Sequence, residues 1–339
     1  TRSRCLSILA CHGSAASSDT AGKGVLAVTS SQASASAADL ELAAAHERDV
    51  KEMRRTLVES WPARWRRMID DWRSESDASV DGAWLMHAAN YLFRTAGVRW
   101  AVDPFQLQTR LPEAPAVDVK ELASLQFVLL THNHEDHVDA SLWQALADRD
   151  ITWVVPPFMA EKFKKVTGIQ DTDARLIVAQ PGQVIHLHGL EILPMTGLHW
   201  EIRPDLPAGR LGIDALAYQV KWKPAGAEAS RTLLLPGDTR DYRASQLVGH
   251  GVSDVLFAHV WLGRVAAAMK QPPALEAMTQ FILDLQPRER VVFAHLYETS
   301  RKPVDCWSLR HAQLLGERIR AHRPDLQLAA PMLGDRIEL

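Results

Sequence analysis

The string Thr131-His132-Asn133-His134-Glu135-Asp136-His137-Val138-Asp139 constrains this chain more than any other feature. Three of its fourteen histidines fall within six residues, directly after the apolar run at residues 127–130. A tight loop at a strand end can point alternate side chains at one centre and the neighbouring pair at another. Imidazole and carboxylate together suit zinc, manganese or iron. An HxHxDH string arises by chance in roughly one such sequence in a thousand, so a cluster of surface histidines is the weaker reading.

Other apolar segments repeat the layout. His199 follows a candidate strand at 191–194, and Asp238 follows one at 232–235 in Pro236-Gly237-Asp238-Thr239. His295 closes Val291-Val292-Phe293-Ala294-His295, and His259 sits after a candidate strand at 255–257. A strand running into a ligand-type residue at its C-terminal end, several times over, predicts one sheet edge where the ligands meet. His186, His188, His250, His311 and His322 have no motif around them and read as solvated or core histidines.

Around these motifs, the spacing predicts a meander at 83–87, 91–95 and 98–102, then alternating strands and helices. Further strands are expected at 153–155, 176–178, 215–221 and 291–294. Helices are expected at 140–147, 158–166, 242–248, 274–285 and 309–322. β-rich stretches followed by helices give a layered α/β (α+β) domain over residues 81–339. No internal repeat is visible from identity, although the halves have a similar order of elements. Residues 39–80 read as a helical extension, capped at Asp39 and restarted at Pro62. Trp65, Met68, Ile69 and Trp72 make its apolar face, and Arg64, Arg66, Arg67 and Arg73 lie around the other side. Docking on the main domain explains that pattern better than contact with a membrane surface or a phosphorylated substrate, because Asp70 and Asp71 interrupt the basic face.

Residues 1–38 include eighteen Ser or Ala and only one acid, Asp19. They read as a disordered tail, or as a targeting segment of the transit-peptide kind. The three cysteines, Cys5, Cys11 and Cys306, form no CxxC pair, which fits a reducing compartment. The expected location is the cytoplasm, or an organelle if the tail is a transit peptide. A net charge of −3 gives no case for nucleic acid as the partner. No apolar run approaches the ~18–20 residues that span a bilayer. The expected partner is a small molecule, phosphorylated substrates included, and the oligomeric state is left open.

The motif set resembles the metallo-β-lactamase superfamily. Within it, the resemblance is closest to the group containing L-ascorbate-6-phosphate lactonase and N-acyl-phosphatidylethanolamine-hydrolysing phospholipase D. It runs from Met86-His87-Ala88-Ala89, where Met86 replaces that group's usual glycine, through Val102-Asp103-Pro104 and THNHEDHVD to His199, Pro236-Gly237-Asp238-Thr239 and His295. The resemblance implies an αββα sandwich with two divalent metals at one edge of its sheets, zinc first and manganese or iron next. It implies that His132, His134 and His199 hold one metal, that Asp136, His137 and His295 hold the other, and that Asp238 bridges them. Asp103 would orient the cluster from outside the ligand set. A hydroxide shared by the metals would attack the substrate, oriented by Asp136 and Asp238, with a lactone or a phosphodiester as the expected substrate. The family spacing favours His295 over His259 as the last ligand. His259 is then either a substrate-facing acid or a buried hydrogen-bonded histidine. Trp200, Glu201, Arg240, Trp261, Arg264, Tyr297 and Glu298, next to these residues, are candidates for lining the pocket. Two rival readings are a mononuclear iron oxygenase on the same fold and a non-catalytic binding domain stabilised by its metals.

Overall fold

Helix α1 (Ala37–Arg73) runs without interruption, where the sequence predicts a restart at Pro62. Leu57, Trp61, Trp65, Met68, Ile69 and Trp72 recur along one face and are all buried. Each such side chain contributes about 1.5–3 kcal/mol on burial, enough together to offset the roughly 3 kcal/mol a proline costs inside a helix. The indole of Trp72 donates to the Phe93 carbonyl at 3.0 Å, and Trp65 donates to Glu121 at 2.6 Å. Arg66, Arg67 and Arg73 face solvent, so α1 is a docked helix. The structure, a computed structural model, describes residues 36–74, 80–202, 210–248 and 251–339. The Ser/Ala-rich tail expected at 1–38 lies, up to residue 35, outside the described residues, as does His250.

The first sheet opens with the antiparallel meander β1 (Gly82–His87), β2 (Asn90–Thr95) and β3 (Val98–Val102). It continues in parallel through β4 (Phe127–Leu129), β5 (Thr152–Val155) and β6 (Leu176–Val178). The crossovers hold α2 (Leu107–Arg110), α3 (Ala140–Leu146) and α4 (Ala160–Thr167). Phe163 of α4 packs on Trp143 of α3 and Trp153 of β5, which seats these helices on the sheet. The second sheet repeats the plan. Antiparallel strands β7 (Ile185–Leu187), β8 (Leu190–Thr196), β11 (Leu216–Trp222) and β12 (Arg231–Leu235) lead into parallel β13 (Val255–His259), β14 (Arg290–Ala294) and β15 (Gln327–Ala329). A two-residue ribbon, β9 (Glu201–Ile202) with β10 (Arg210–Leu211), stands between β8 and β11. Helices α5 (Ser245–Val248), α6 (Leu275–Asp284) and α7 (Leu309–His322) fill the later crossovers. The last strand, β16 (Arg336–Glu338), returns to pair with β1 in the first sheet.

The sheets meet face to face. Phe257 of β13 makes edge contacts with Tyr91 and Phe93 of β2, at 5.0 and 5.4 Å between ring centres. The Tyr218 hydroxyl of β11 donates to the Leu130 carbonyl at 2.7 Å, and Trp222 donates to Asp81. Among the described residues no helix is long and apolar enough to cross a membrane.

Candidate metal centre

Five parallel or strand-end junctions deliver polar side chains to one place: the ends of β4, β8, β12, β13 and β14. The β4 junction is pinned to the second sheet, since Leu216 donates its amide to the Thr131 carbonyl at 2.9 Å and His132 bridges to Ala215. Gly197 donates its amide to the Ala215 carbonyl at 2.8 Å, and a Cβ at Gly197 would fall 2.9 Å from that backbone. The approach fixes where His199 enters the site two residues later.

Two ligand quartets result. Ligand atoms of His132, His134, His199 and Asp238 lie within 4.8 Å of one another, and so do those of Asp136, His137, Asp238 and His295. Asp238 belongs to both. The structure therefore brings together all seven residues expected from the sequence as metal ligands. His134 Nδ1 stands 3.2 Å from both His132 Nε2 and His199 Nε2. His295 Nε2 stands 3.1 Å from Asp136 and 3.3 Å from Asp238, and His137 Nε2 lies 3.2 Å from Asp238 Oδ1. His137 Nε2 and both carboxylate oxygens of Asp238 are buried without a hydrogen-bond partner. Buried polar atoms left unpaired are costly. Here they converge, and the donor set is the nitrogen and oxygen set that suits a borderline divalent ion. The residues fit two such ions.

Electrostatics agree with the donor set. Burial pushes His132 well below the ordinary histidine value, His134 down to about 4 and His199 down to about 3, so these rings present lone pairs at neutral pH. Burial alone would raise the carboxyls of Asp136 and Asp238, but the surrounding histidines hold both well below the usual range. Burial would likewise lower His295, yet Asp238 and Asp136 raise it to about 9.

Asp103 stands outside the quartets and positions one of them. It accepts from the Thr131 amide at 2.8 Å and from the Thr131 hydroxyl, and it lies 2.7 Å from His137 Nδ1. A carboxylate on the far nitrogen of a ligating histidine fixes the ring and its tautomer. His259 is close but arranged differently. Its Nδ1 lies 2.8 Å from the amide and 3.0 Å from the carbonyl oxygen of Thr239. With the amide donating, the ring proton sits on Nε2, which faces Asp238 Oδ2 at 3.7 Å. The buried, hydrogen-bonded geometry is that of a donor beside the centre.

Beside the quartets, reaching His134 and Asp136, lies an open groove of about 500 Å³ lined also by Arg110, Arg240, Glu298 and Arg301. Arg240 and Glu298 were expected from the sequence. Arg110 and Arg301 were not, because each reaches the groove from a segment with no motif. Glu201 pairs with Arg264 at 3.2 Å, Trp261 carries Arg240 on its ring, and Tyr297 is buried. Trp200 lines a second, more apolar pocket with Pro157 and Phe158.

Two mixed sheets with outer helices and a histidine–aspartate edge define a metallo-β-lactamase-type sandwich. Comparison with known families agrees: the model of the β-lactamase superfamily domain matches residues 98–296, and the chain belongs to that superfamily. It is 30% identical over 183 residues to "Probable L-ascorbate-6-phosphate lactonase UlaG" of Escherichia fergusonii, covering 50% of this chain and 48% of the relative. The chain thus spans about half the length of the curated relatives it matches. Among solved structures it resembles Igni18, a metallo hydrolase from the archaeon Ignicoccus hospitalis, at 17% identity and a TM-score of 0.53, over 77% of this chain and 98% of that one. It also resembles CmlA, a diiron beta-hydroxylase from Streptomyces venezuelae, at 15% identity and a TM-score of 0.51, over 77% of this chain and 54% of that one. Such distant likenesses speak for the fold alone.

Proposed function

We propose that this chain is a hydrolase that holds two divalent ions, zinc before manganese or iron, and opens the ester bond of a lactone or phosphodiester. The carrying observation is the pair of candidate ligand quartets sharing Asp238, with His134 of one and Asp136 of the other lining an open groove. Two divalent ions bound there would lower the pKa of coordinated water and polarise the substrate oxygen. The chain's own residues do the rest. Asp238 and Asp136 accept hydrogen bonds from the attacking water and aim its lone pair at the substrate. His259, buried with Nε2 3.7 Å from Asp238 Oδ2, would give a proton to the departing oxygen. Glu298, buried and 2.6 Å from Arg301, holds that guanidinium over Asp136 at 3.8 Å, on the groove side of the site. No serine or cysteine nucleophile is needed.

Elemental analysis of protein prepared without chelator, followed by a screen of lactones, phosphodiesters and thioesters, tests the assignment. Two metal equivalents per chain and turnover of an ester are expected. One equivalent of iron with no ester turnover would move the protein to the oxygenases, and two equivalents without any turnover would make it a metal-stabilised binding domain.

A further inference from the structure

Three arginines line the groove, and they are not equivalent. Arg110 pairs with Glu135 at 2.8 Å and lies 3.6 Å from Glu298, and Arg301 pairs with Glu298. Arg240 has no such partner: among the described residues no carboxylate forms an ion pair with it. Its Nε is buried without a hydrogen bond. The guanidinium lies over the Trp261 ring at 4.9 Å, and Arg264 covers the same ring at 5.3 Å. The backbone is fixed as well, since the Arg240 amide donates to the Leu198 carbonyl at 2.8 Å. Arg240 is thus clamped between the loop carrying Asp238 and the loop carrying His199.

A half-buried guanidinium whose Nε has no hydrogen-bond partner is costly in the free protein. A cation–π contact contributes about 0.5–2 kcal/mol, but Arg264 already supplies one to Trp261, so packing does not require a second charge. The arrangement does suit an incoming oxyanion. Arginine presents a planar fork of donors that matches phosphate and carboxylate, and such bonds strengthen where water is excluded.

We propose that Arg240 anchors an oxyanion subsite beside the metal centre, so that the substrate carries a phosphate or carboxylate close to the bond that is opened. The inference rests on the hydrolase reading above and specifies the substrate for it. Arg240 directly follows Asp238 and Thr239 and shares the groove with His134 and Asp136, so the anion sits a few bonds from the reacting carbon or phosphorus.

The test uses the full metal-loaded chain and three matched lactones: one bearing a phosphate, one a carboxylate and one neither. The expected result is a preference in kcat/KM of at least about tenfold for an anionic lactone, and which anion is preferred identifies the natural group. Arg240→Ala should collapse that preference to within about threefold, and Arg240→Lys, which keeps charge but loses the fork, should restore only part of it. Equal kcat/KM for all three lactones in the wild type would overturn the subsite while leaving the hydrolase reading intact. So would an Arg240→Ala variant that slows all three alike. If no lactone is turned over, calorimetric binding of inorganic phosphate and of acetate decides the subsite independently of hydrolysis. Binding at least about tenfold weaker in Arg240→Ala supports it, and equal affinities in wild type and variant overturn it.

Discussion

At the scale of single residues the site is held by unusual backbone as much as by side chains. Asp103 and His295 have φ of +42° and +63°, and Ala88 and Tyr297, beside the site, have +40° and +60°. Left-handed φ at non-glycine residues costs on the order of 1–3 kcal/mol each and persists only where neighbours impose it. At His295 the constraint is visible: its amide donates to the Ala88 carbonyl at 2.8 Å, tying the last ligand to the end of β1. His259 and His295 stand with ring centres 4.6 Å apart, and both end apolar strands. Their hydrogen bonds separate them. His295 turns Nε2 to both Asp136 and Asp238, whereas His259 Nδ1 is engaged by the Thr239 backbone and its Nε2 lies 3.7 Å from Asp238. His295→Ala should therefore lose about one metal equivalent and nearly all turnover. His259→Ala should keep close to two equivalents and lose about 10²–10⁴ in rate. Metal content measured on the two variants checks this, and loss of metal from the His259 variant alone would reverse the assignment.

At the scale of elements, α1 reaches the site without touching a ligand. Arg54 donates to the Arg301 carbonyl, and His46 Nε2 lies 2.7 Å from the Pro303 carbonyl, so the helix braces the loop that presents Glu298 and Arg301 to the groove. Arg54→Ala should raise KM several-fold, with a smaller change in kcat and a melting temperature within a few degrees of wild type. A fall in melting temperature with unchanged kinetics would leave Arg54 a purely structural contact. None of this bracing was legible in the sequence, because nothing local marks a helix for a loop some 250 residues away. The gathering of the histidines and aspartates at one edge was legible for the opposite reason. An apolar strand needs no partner to be recognised, and a histidine or aspartate at its end inherits its position. Pro62 misled because a wide tryptophan face outweighs one proline. Strands β7, β15 and β16 were missed because each is a three-residue edge strand carrying a polar residue, whereas the edge strand β6, Leu176–Val178, is wholly apolar and was legible. Arg110 and Arg301 come from segments whose place is set only when the chain closes, so no pattern announced them.

At the scale of the whole molecule, the similar order of elements in the two halves became a matched pair of seven-stranded sheets, each antiparallel and then parallel. The candidate ligands are divided between them. His132, His134, Asp136 and His137 come from the loop after β4, while His199, Asp238 and His295 come from the second sheet. Each quartet draws on both sheets. Among the described residues, the chain passes from one sheet into the other before the C-terminal return only at the exposed turn around Pro181 and Gly182. A protein cut at that turn would become two polypeptides, neither holding a complete quartet, with β16 of the second reaching back to complete the sheet of the first. Co-expressed, the pieces should associate more tightly with zinc present than after chelation, because an ion bound across the seam stabilises only the joined state. Bound metals would then act as a clasp between the two pieces, and a sensor of free zinc could be built from this chain with a single cut.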